Sequence, residues 1–255
     1  MKIDLSGKTA LITGASGQLG RVMTRTLAQC GANVVVHYYR NKSKAEELLA
    51  EIKAMGVGGC TVQADVTDAE SVMQMQRFVA ENLGDPDIIV NNSVILYKWA
   101  TVMEQPIEDY ESQYKSSILH NVLMAKAFVP AMIKKGWGRV IGINTECSMA
   151  CAPHQSAYIS GKRGMDGVLR VLAKEIGEHD ITVNQVAPGW VITEKERADG
   201  PNVNANKEYI SMVPLKRRGT DQDVANAVAF LASDLSAFIT GLYVPIAGGK
   251  CMPRI

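Results

Sequence analysis

Hydrophobic positions along the chain fall into two alternating kinds of segment. Short apolar or β-branched runs occupy Thr9–Thr13, Asn33–His37, Cys60–Ala64, Ile88–Val90, Arg139–Asn144, Ile181–Val186 and Leu242–Ile246. Between them lie longer stretches with helical spacing, at about Leu19–Cys30, Ser43–Met55, Ala69–Leu83, Tyr110–Lys135, Ala157–Gly177 and Asp221–Ser233. Strands alternating with helices in this way predict βαβ units and a parallel sheet. The run Asn33-Val-Val-Val is almost continuously apolar, as a strand covered on both faces should be. Right-handed crossovers put helices on both faces, so the predicted fold is α/β, a doubly wound parallel sheet of seven strands. Ser43 and Thr67 are expected to cap helices, and Gly31, Gly56 and Gly177 to stop them.

The 255 residues suit one hydrophobic core, and the chain reads as a single domain over 1–255. Its least regular part, about 190–215, contains Gly200-Pro201 and several Asn and Lys. A loop of that length after the sixth strand is expected to serve a substrate site. With 27 Lys+Arg against 26 Asp+Glu, there is no long-range field to attract nucleic acid or an anionic membrane. No stretch approaches the ~18 apolar residues of a membrane span, and the N-terminus lacks a secretory signal. Five scattered cysteines fit reduced thiols in a cytoplasmic protein, with no metal site expected.

The first strand runs through Thr13-Gly14-Ala15-Ser16-Gly17-Gln18-Leu19-Gly20 straight into a helix. Glycines there let backbone approach a pyrophosphate, whose charge sits on free N–H groups and the helix dipole. A merely tight strand–helix turn is the alternative, but the βαβ context is that of a Rossmann-type dinucleotide site. At the end of the second strand, Tyr38, Tyr39 and Arg40 stand where an NAD-preferring site carries a carboxylate. A guanidinium pairs with a 2′-phosphate, so NADP(H) is expected over NAD(H), unless Arg40 and Lys42 only begin the next helix. Tyr158 and Lys162, four apart on a predicted helix, can converge as a phenol and an ammonium. The same spacing also occurs as a plain surface pair.

Taken together, these motifs resemble the short-chain dehydrogenase/reductase family over essentially the whole chain, as a divergent member similar to its 3-oxoacyl-reductase-like enzymes. The family's T-G-x-x-x-G-x-G is kept at Thr13, Gly14 and Gly20, while Gly17 falls one place early and Gln18 takes the expected glycine. The resemblance implies cofactor contacts from Gly14, Ser16, Gly17, Gln18, Leu19 and Gly20, and from Tyr38, Tyr39 and Arg40. It also implies contacts from Asp65 and Val66, from Asn91 and Ser93, and from Pro188, Gly189, Val191 and Thr193. Asn91-Asn92 begins the family's N-N-A-G but continues Ser93-Val94, adding bulk beside the cofactor's path. Ala247 stands where an aspartate is usual.

For chemistry, the resemblance implies Tyr158 as acid/base and Lys162 as the residue that binds the cofactor ribose and lowers the phenol's pKa. Thr145, thirteen residues before Tyr158, takes the substrate-orienting position that usually holds serine. Its hydroxyl is retained, although Thr145 also reads as an ordinary strand end and Ser148 is a second candidate. Ser117 falls where an asparagine normally anchors a water, and His120 or Asn121, one turn on, are alternatives to it or simple packing residues. An oxidoreductase acting on a small alcohol or carbonyl compound follows, assembled by family habit as a homotetramer. A dinucleotide-binding sensor or scaffold, and a redox-neutral enzyme on the same fold, remain alternatives. Trp190, Met212, Met149 and Tyr97 are candidate apolar walls, while His154 and Glu146 hint at a polar substrate group.

Overall fold

The protein is described by a computed structural model over residues 2–200 and 206–253. Seven strands form one sheet: β1 (Thr9–Ile12), β2 (Asn33–Tyr38), β3 (Gly59–Gln63), β4 (Ile88–Asn91), β5 (Gly138–Ile143), β6 (Ile181–Pro188) and β7 (Tyr243–Ile246). Their order is β3-β2-β1-β4-β5-β6-β7, and every pairing is parallel. The order reverses between β1 and β4, which opens a crevice at their carboxyl ends where ligands bind in such sheets.

Helices cover both faces, as strand period 2 requires. In β1, Ala10 and Ile12 join one core layer, with Val34, Val36, Val90 and Val186 of neighbouring strands. Leu11 points the other way and joins Val35, Ile89, Val140 and Val183. The first layer is closed by α1 (Gln18–Gln29), α2 (Lys42–Ala54) and α10 (Asp221–Ala232). The second is closed by α3 (Ala69–Leu83), α5 (His120–Lys135) and α7 (Ser156–Ile176).

The caps differ from expectation. Asn41, not Ser43, caps α2, accepting the Lys44 N–H, and Asp68, not Thr67, caps α3, accepting the Ser71 N–H at 2.7 Å. Thr67 instead donates its N–H and hydroxyl to Asp65. Gly31 and Gly56 do end their helices, at φ +97° and +86°. Gly177 also follows the last residue of its α-helix, but in right-handed conformation at φ −61°, so the chain continues in a 3₁₀ turn through His179 and reverses at Asp180, at φ +57°.

The long helix begins earlier than expected. It runs through α4 (Ile107–Gln113), a π-helical turn at Tyr114–Leu119 and α5. This 29-residue run carries an 18-residue window of mean hydropathy 1.3, so by length and composition alone one helix passes the test that the sequence was expected to fail. Half of that window is buried within the protein, where α5 packs against α3, α7 and β5. The segment 190–215 is also more regular than expected. It holds α8 (Glu194–Ala198), capped by a Thr193/Glu196 capping box, and α9 (Lys207–Met212). Residues 201–205 of the expected loop lie outside the described residues. The remaining short helix, α6 (Cys147–Ala150), follows β5.

Candidate active site

The turn after β1 is shaped for a close backbone approach. Gly14 sits at φ +63°, and a Cβ on Gly20 would lie 2.2 Å from the Gly14 carbonyl oxygen, so α1 can abut the turn only through glycine. Gly17 is the N-cap of α1 and no side chain caps it. The first turn carries no acidic residue, which leaves N–H groups and the helix dipole facing outward. Gln18 starts the helix instead of lying in the turn, and its side chain accepts from Arg21 at 2.8 Å. Ser16 and Leu19 flank the turn, both half-buried.

Beneath this turn is a residue that sequence reasoning missed. His37 is buried on β2, with Nδ1 2.9 Å from the Gly14 N–H and Nε2 3.0 Å from the Ala64 carbonyl. Nδ1 accepts, so the neutral ring carries its proton on Nε2 and donates it to Ala64. Burial lowers its pKa to about 4, which keeps that tautomer neutral. Thr13 and Asn92 stitch the ends of β1 and β4 together: the Thr13 hydroxyl accepts the Asn92 and Ser93 N–H groups.

At the end of β2 the side chains divide. Tyr38 is packed into the apolar core, which takes it out of the expected cofactor contacts, while Tyr39 is half exposed and Arg40 lies 5.1 Å over its ring. Arg40 has no ion-pair partner among the described residues, whereas Lys42 pairs with Glu46 at 3.6 Å on its own helix. Asp65 uses one carboxylate oxygen on Thr67, and Val66 is buried. Asn91 is buried and donates to Asn121 at 2.7 Å, so its amide faces the interior, away from the crevice. β6 runs through Pro188, two residues further than expected, Gly189 follows it, and Val191 is buried beyond them. Thr193 accepts the Glu196 N–H as a helix cap, which occupies an oxygen lone pair but leaves its hydroxyl hydrogen.

The chemical residues gather at the carboxyl ends of β4, β5 and β6. Thr145 follows β5 directly. Its hydroxyl oxygen accepts the Cys147 N–H at 3.2 Å, leaving the hydrogen to donate, and it lies close enough to the Tyr158 phenol to favour the phenolate. Ser148 is not a stand-in: its hydroxyl is buried between the Thr145 carbonyl and the Tyr243 hydroxyl. Tyr243 also donates to the Thr145 carbonyl, fixing that loop from β7.

Lys162 is buried, 5.9 Å from the Tyr158 ring centroid, and Nζ donates to the Ile143 carbonyl at 2.6 Å. Burial lowers its pKa to about 8. Burial pushes the Tyr158 phenol up to about 12, opposite to the lowering expected from a neighbouring lysine. Desolvation dominates and is opposed by the nearby Thr145 hydroxyl, while the Lys162 ammonium is itself shifted toward neutrality.

Under Lys162 the π-helical turn carries a polar layer. Ser117 is buried; its carbonyl accepts from Asn121 at 2.7 Å, and its hydroxyl has no protein partner among the described residues. His120 holds Nδ1 3.2 Å from the Ser116 carbonyl, and its Nε2 is likewise unpartnered. Asn91 Oδ1, Gln113 Oε1 and the Ser116 hydroxyl complete a set of buried groups that suits bound water. Such π turns gather at functional sites.

Glu146 changes the reading of the substrate side. It is buried, and one carboxylate oxygen takes both the Tyr209 hydroxyl at 2.9 Å and Lys250 Nζ at 3.0 Å. The carboxylate thus ties α9 and the segment after β7 to the Thr145 loop. Met149 lines a neighbouring cleft of about 630 Å³ with Cys151, Arg163 and Lys250. Tyr97 is the wall residue that reaches Tyr158, its hydroxyl accepting the Tyr158 N–H at 2.7 Å. Trp99 was not foreseen: its ring stacks on Tyr158 with centroids 6.5 Å apart.

Comparison with known proteins agrees with this geometry. A family model described as enoyl-(acyl carrier protein) reductase matches residues 14–250. A 3-oxoacyl-[acyl-carrier-protein] reductase of Staphylococcus aureus is 34% identical over 245 residues, covering 96% of this chain and 98% of that one. Its counterpart in Pseudomonas aeruginosa is 34% identical over 250 residues, covering 98% and 100%. Among solved structures, the reductase LugOII superposes with a TM-score of 0.87 at 30% identity, covering 97% of this chain and 99% of that one. A putative gluconate dehydrogenase of Agrobacterium tumefaciens gives a TM-score of 0.90 at 26% identity, covering 98% of each chain.

Proposed function

The chain belongs to the short-chain dehydrogenase/reductase family and is an oxidoreductase, and from that premise we propose that it transfers hydride between NADP(H) and an alcohol or carbonyl substrate. The observation that carries this reading is the convergence of Tyr158, Lys162 and Thr145 in a fold whose glycine turn at Gly14 and Gly20 lets α1 start with uncapped N–H groups. The residues present fit the cofactor. Uncapped N–H groups at the start of α1 suit the pyrophosphate, and Arg40 with Tyr39 suits a 2′-phosphate and adenine. Gly189, Val191 and Thr193 border the place expected for the nicotinamide, and Lys162 that for its ribose. When bound, NADP(H) supplies or accepts the hydride.

The protein's part is proton transfer and orientation. Tyr158 gives its phenolic proton to the substrate oxygen in reduction, or takes one in oxidation. Because burial holds the phenol near 12, it is protonated at neutral pH and already in the state that reduction needs. Thr145 donates its free hydroxyl hydrogen to the same oxygen, and Ser117 belongs to the buried polar layer that would resupply protons through Lys162. An apolar face on α5 and α7, including Val122, Ala125, Val168 and Val171, supports a homotetramer paired through its long helices. A cytoplasmic location accords with the family reading.

Titration of the purified protein with NADPH and NADH, then a ketone panel read at the cofactor absorbance, tests this. Tight NADPH binding with turnover that falls ~10²–10⁴-fold in Tyr158→Phe is the expected result. Tight binding without turnover on any ketone would favour a sensor or a redox-neutral enzyme. No binding of either cofactor would overturn the reading.

A further inference from the structure

The segment between β4 and α4 presents apolar side chains to solvent from a backbone that is firmly held. Ile95, Leu96 and Trp99 are 42%, 86% and 51% exposed. Exposed apolar groups on a pinned loop mark a binding surface more often than a packing fault. Three side chains do the pinning. Gln113, fully buried, donates to the Ile95 carbonyl at 2.8 Å. Gln105, 5% exposed, accepts the Ala100 N–H at 2.9 Å and donates to the Lys98 carbonyl at 3.1 Å. It thereby fixes the residues on either side of Trp99. Its amide also reaches the Asp109 carboxylate at 2.6 Å, which anchors it to α4. The Tyr97 hydroxyl ties the same loop to the N–H of Tyr158.

Trp99 is therefore presented in a set position. Its ring lies within 24° of parallel to the Tyr158 ring, with centroids 6.5 Å apart. The polar groups that sequence had placed near the substrate do not compete. Glu146 is paired with Lys250 and Tyr209, and His154 is exposed on the turn before α7. Around the phenol stand the Thr145 hydroxyl and the buried Lys162, and the flat aromatic surface beside its ring is supplied by Trp99. A flat ring stacks on an indole with an attraction beyond area burial, and a preorganised wall adds no ordering cost on binding.

We propose that Trp99 is the specificity-determining wall of this site, and that the substrate is a ketone, or its alcohol, with a flat aromatic ring next to the reacting carbon. This rests on the oxidoreductase reading above and narrows its substrate class. In reduction the carbonyl carbon gains the hydride of NADPH and its oxygen gains the Tyr158 proton, so the products are the benzylic alcohol and NADP⁺.

The test compares 1-tetralone with cyclohexanone as substrates for the wild type, Trp99→Ala and Trp99→Phe, with quenching of indole fluorescence by 1-tetralone as a readout that needs no turnover. The expected ratio of kcat/KM favours 1-tetralone, falls about tenfold in Trp99→Ala and is largely retained in Trp99→Phe. Saturable quenching should disappear in Trp99→Phe, which keeps a ring but loses the fluorophore. An unchanged ratio in all three proteins would overturn the proposal while leaving the oxidoreductase reading intact. So would a Trp99→Ala protein whose only change is dissociation into smaller assemblies, which would make Trp99 a contact between copies. If no ketone is turned over, the quench decides: loss of a saturable signal in Trp99→Phe supports the wall, and absence of any signal in the wild type overturns it. Failure of the oxidoreductase reading is scored separately, by the NADPH titration.

Discussion

The imidazole of His37 joins the N–H of Gly14 to the carbonyl of Ala64, at 2.9 and 3.0 Å, and so hangs the glycine turn from the ends of β2 and β3. A His37→Val substitution puts a residue that suits a strand in its place but leaves the Gly14 N–H and the Ala64 carbonyl without the partner the imidazole provides. Each such group costs about 1–3 kcal/mol. Urea denaturation should show a loss in that range or above, and calorimetric titration should show weaker NADPH binding as the turn loosens. Unchanged affinity would mean that the turn holds its shape without the imidazole.

The buried histidines also set an acid limit. Burial lowers His37 to about 4 and His120 to about 3, from an ordinary value of 6.5. The groups facing His120 include His37 and the Lys162 ammonium, and the Ser116 carbonyl opposes them. Below pH 6.5 the unfolded chain takes up protons that the folded chain refuses, so stability falls with pH until about 4 and 3 respectively. Each histidine contributes a slope approaching about 1.4 kcal/mol per pH unit, and none above 6.5. Urea midpoints measured from pH 7.5 to 5 should decline, and His120→Gln should flatten the decline. An equal slope in that variant would assign it to other groups.

Arg40 stands free of ion pairs among the described residues, beside the exposed Tyr39 ring. Arg40→Ala should weaken NADPH about 10–100-fold, as loss of a charge-assisted contact does, and NADH much less. Equal losses for the two cofactors in parallel titrations would return Arg40 to the surface.

Thr145 uses its oxygen on the Cys147 N–H and keeps a hydrogen to give. Thr145→Ser should therefore retain turnover, while Thr145→Ala should lose about 10²-fold in kcat as an oxygen-directed donor disappears. Steady-state kinetics on one ketone with all three proteins tests this. If serine behaves like alanine, the methyl group positions the loop and the hydroxyl is incidental.

The sequence by itself determined the sheet, its seven strands and the helices on both faces. Runs such as Val34-Val35-Val36 and the helical spacing between them state burial on two faces directly, through periods of 2 and 3.6 residues. The approach of Gly20 to Gly14 and of Lys162 to Tyr158 was legible for the same reason, since spacing within one turn or one helix carries that geometry, whereas Thr145 was placed only by the family resemblance. Only the tertiary structure decided what joins residues far apart in the chain. His37 beneath Gly14, Glu146 between Tyr209 and Lys250, and Trp99 against Tyr158 are such pairs. Local pattern does not encode which side chain meets which across a sheet edge. The pKa of Tyr158 belongs with them: proximity of a lysine was readable, but the desolvation that raises the phenol depends on how the whole site is buried. The π-helical turn at Tyr114–Leu119 looked like plain helix in the sequence, because a single extra residue in a turn leaves the hydrophobic period almost unchanged.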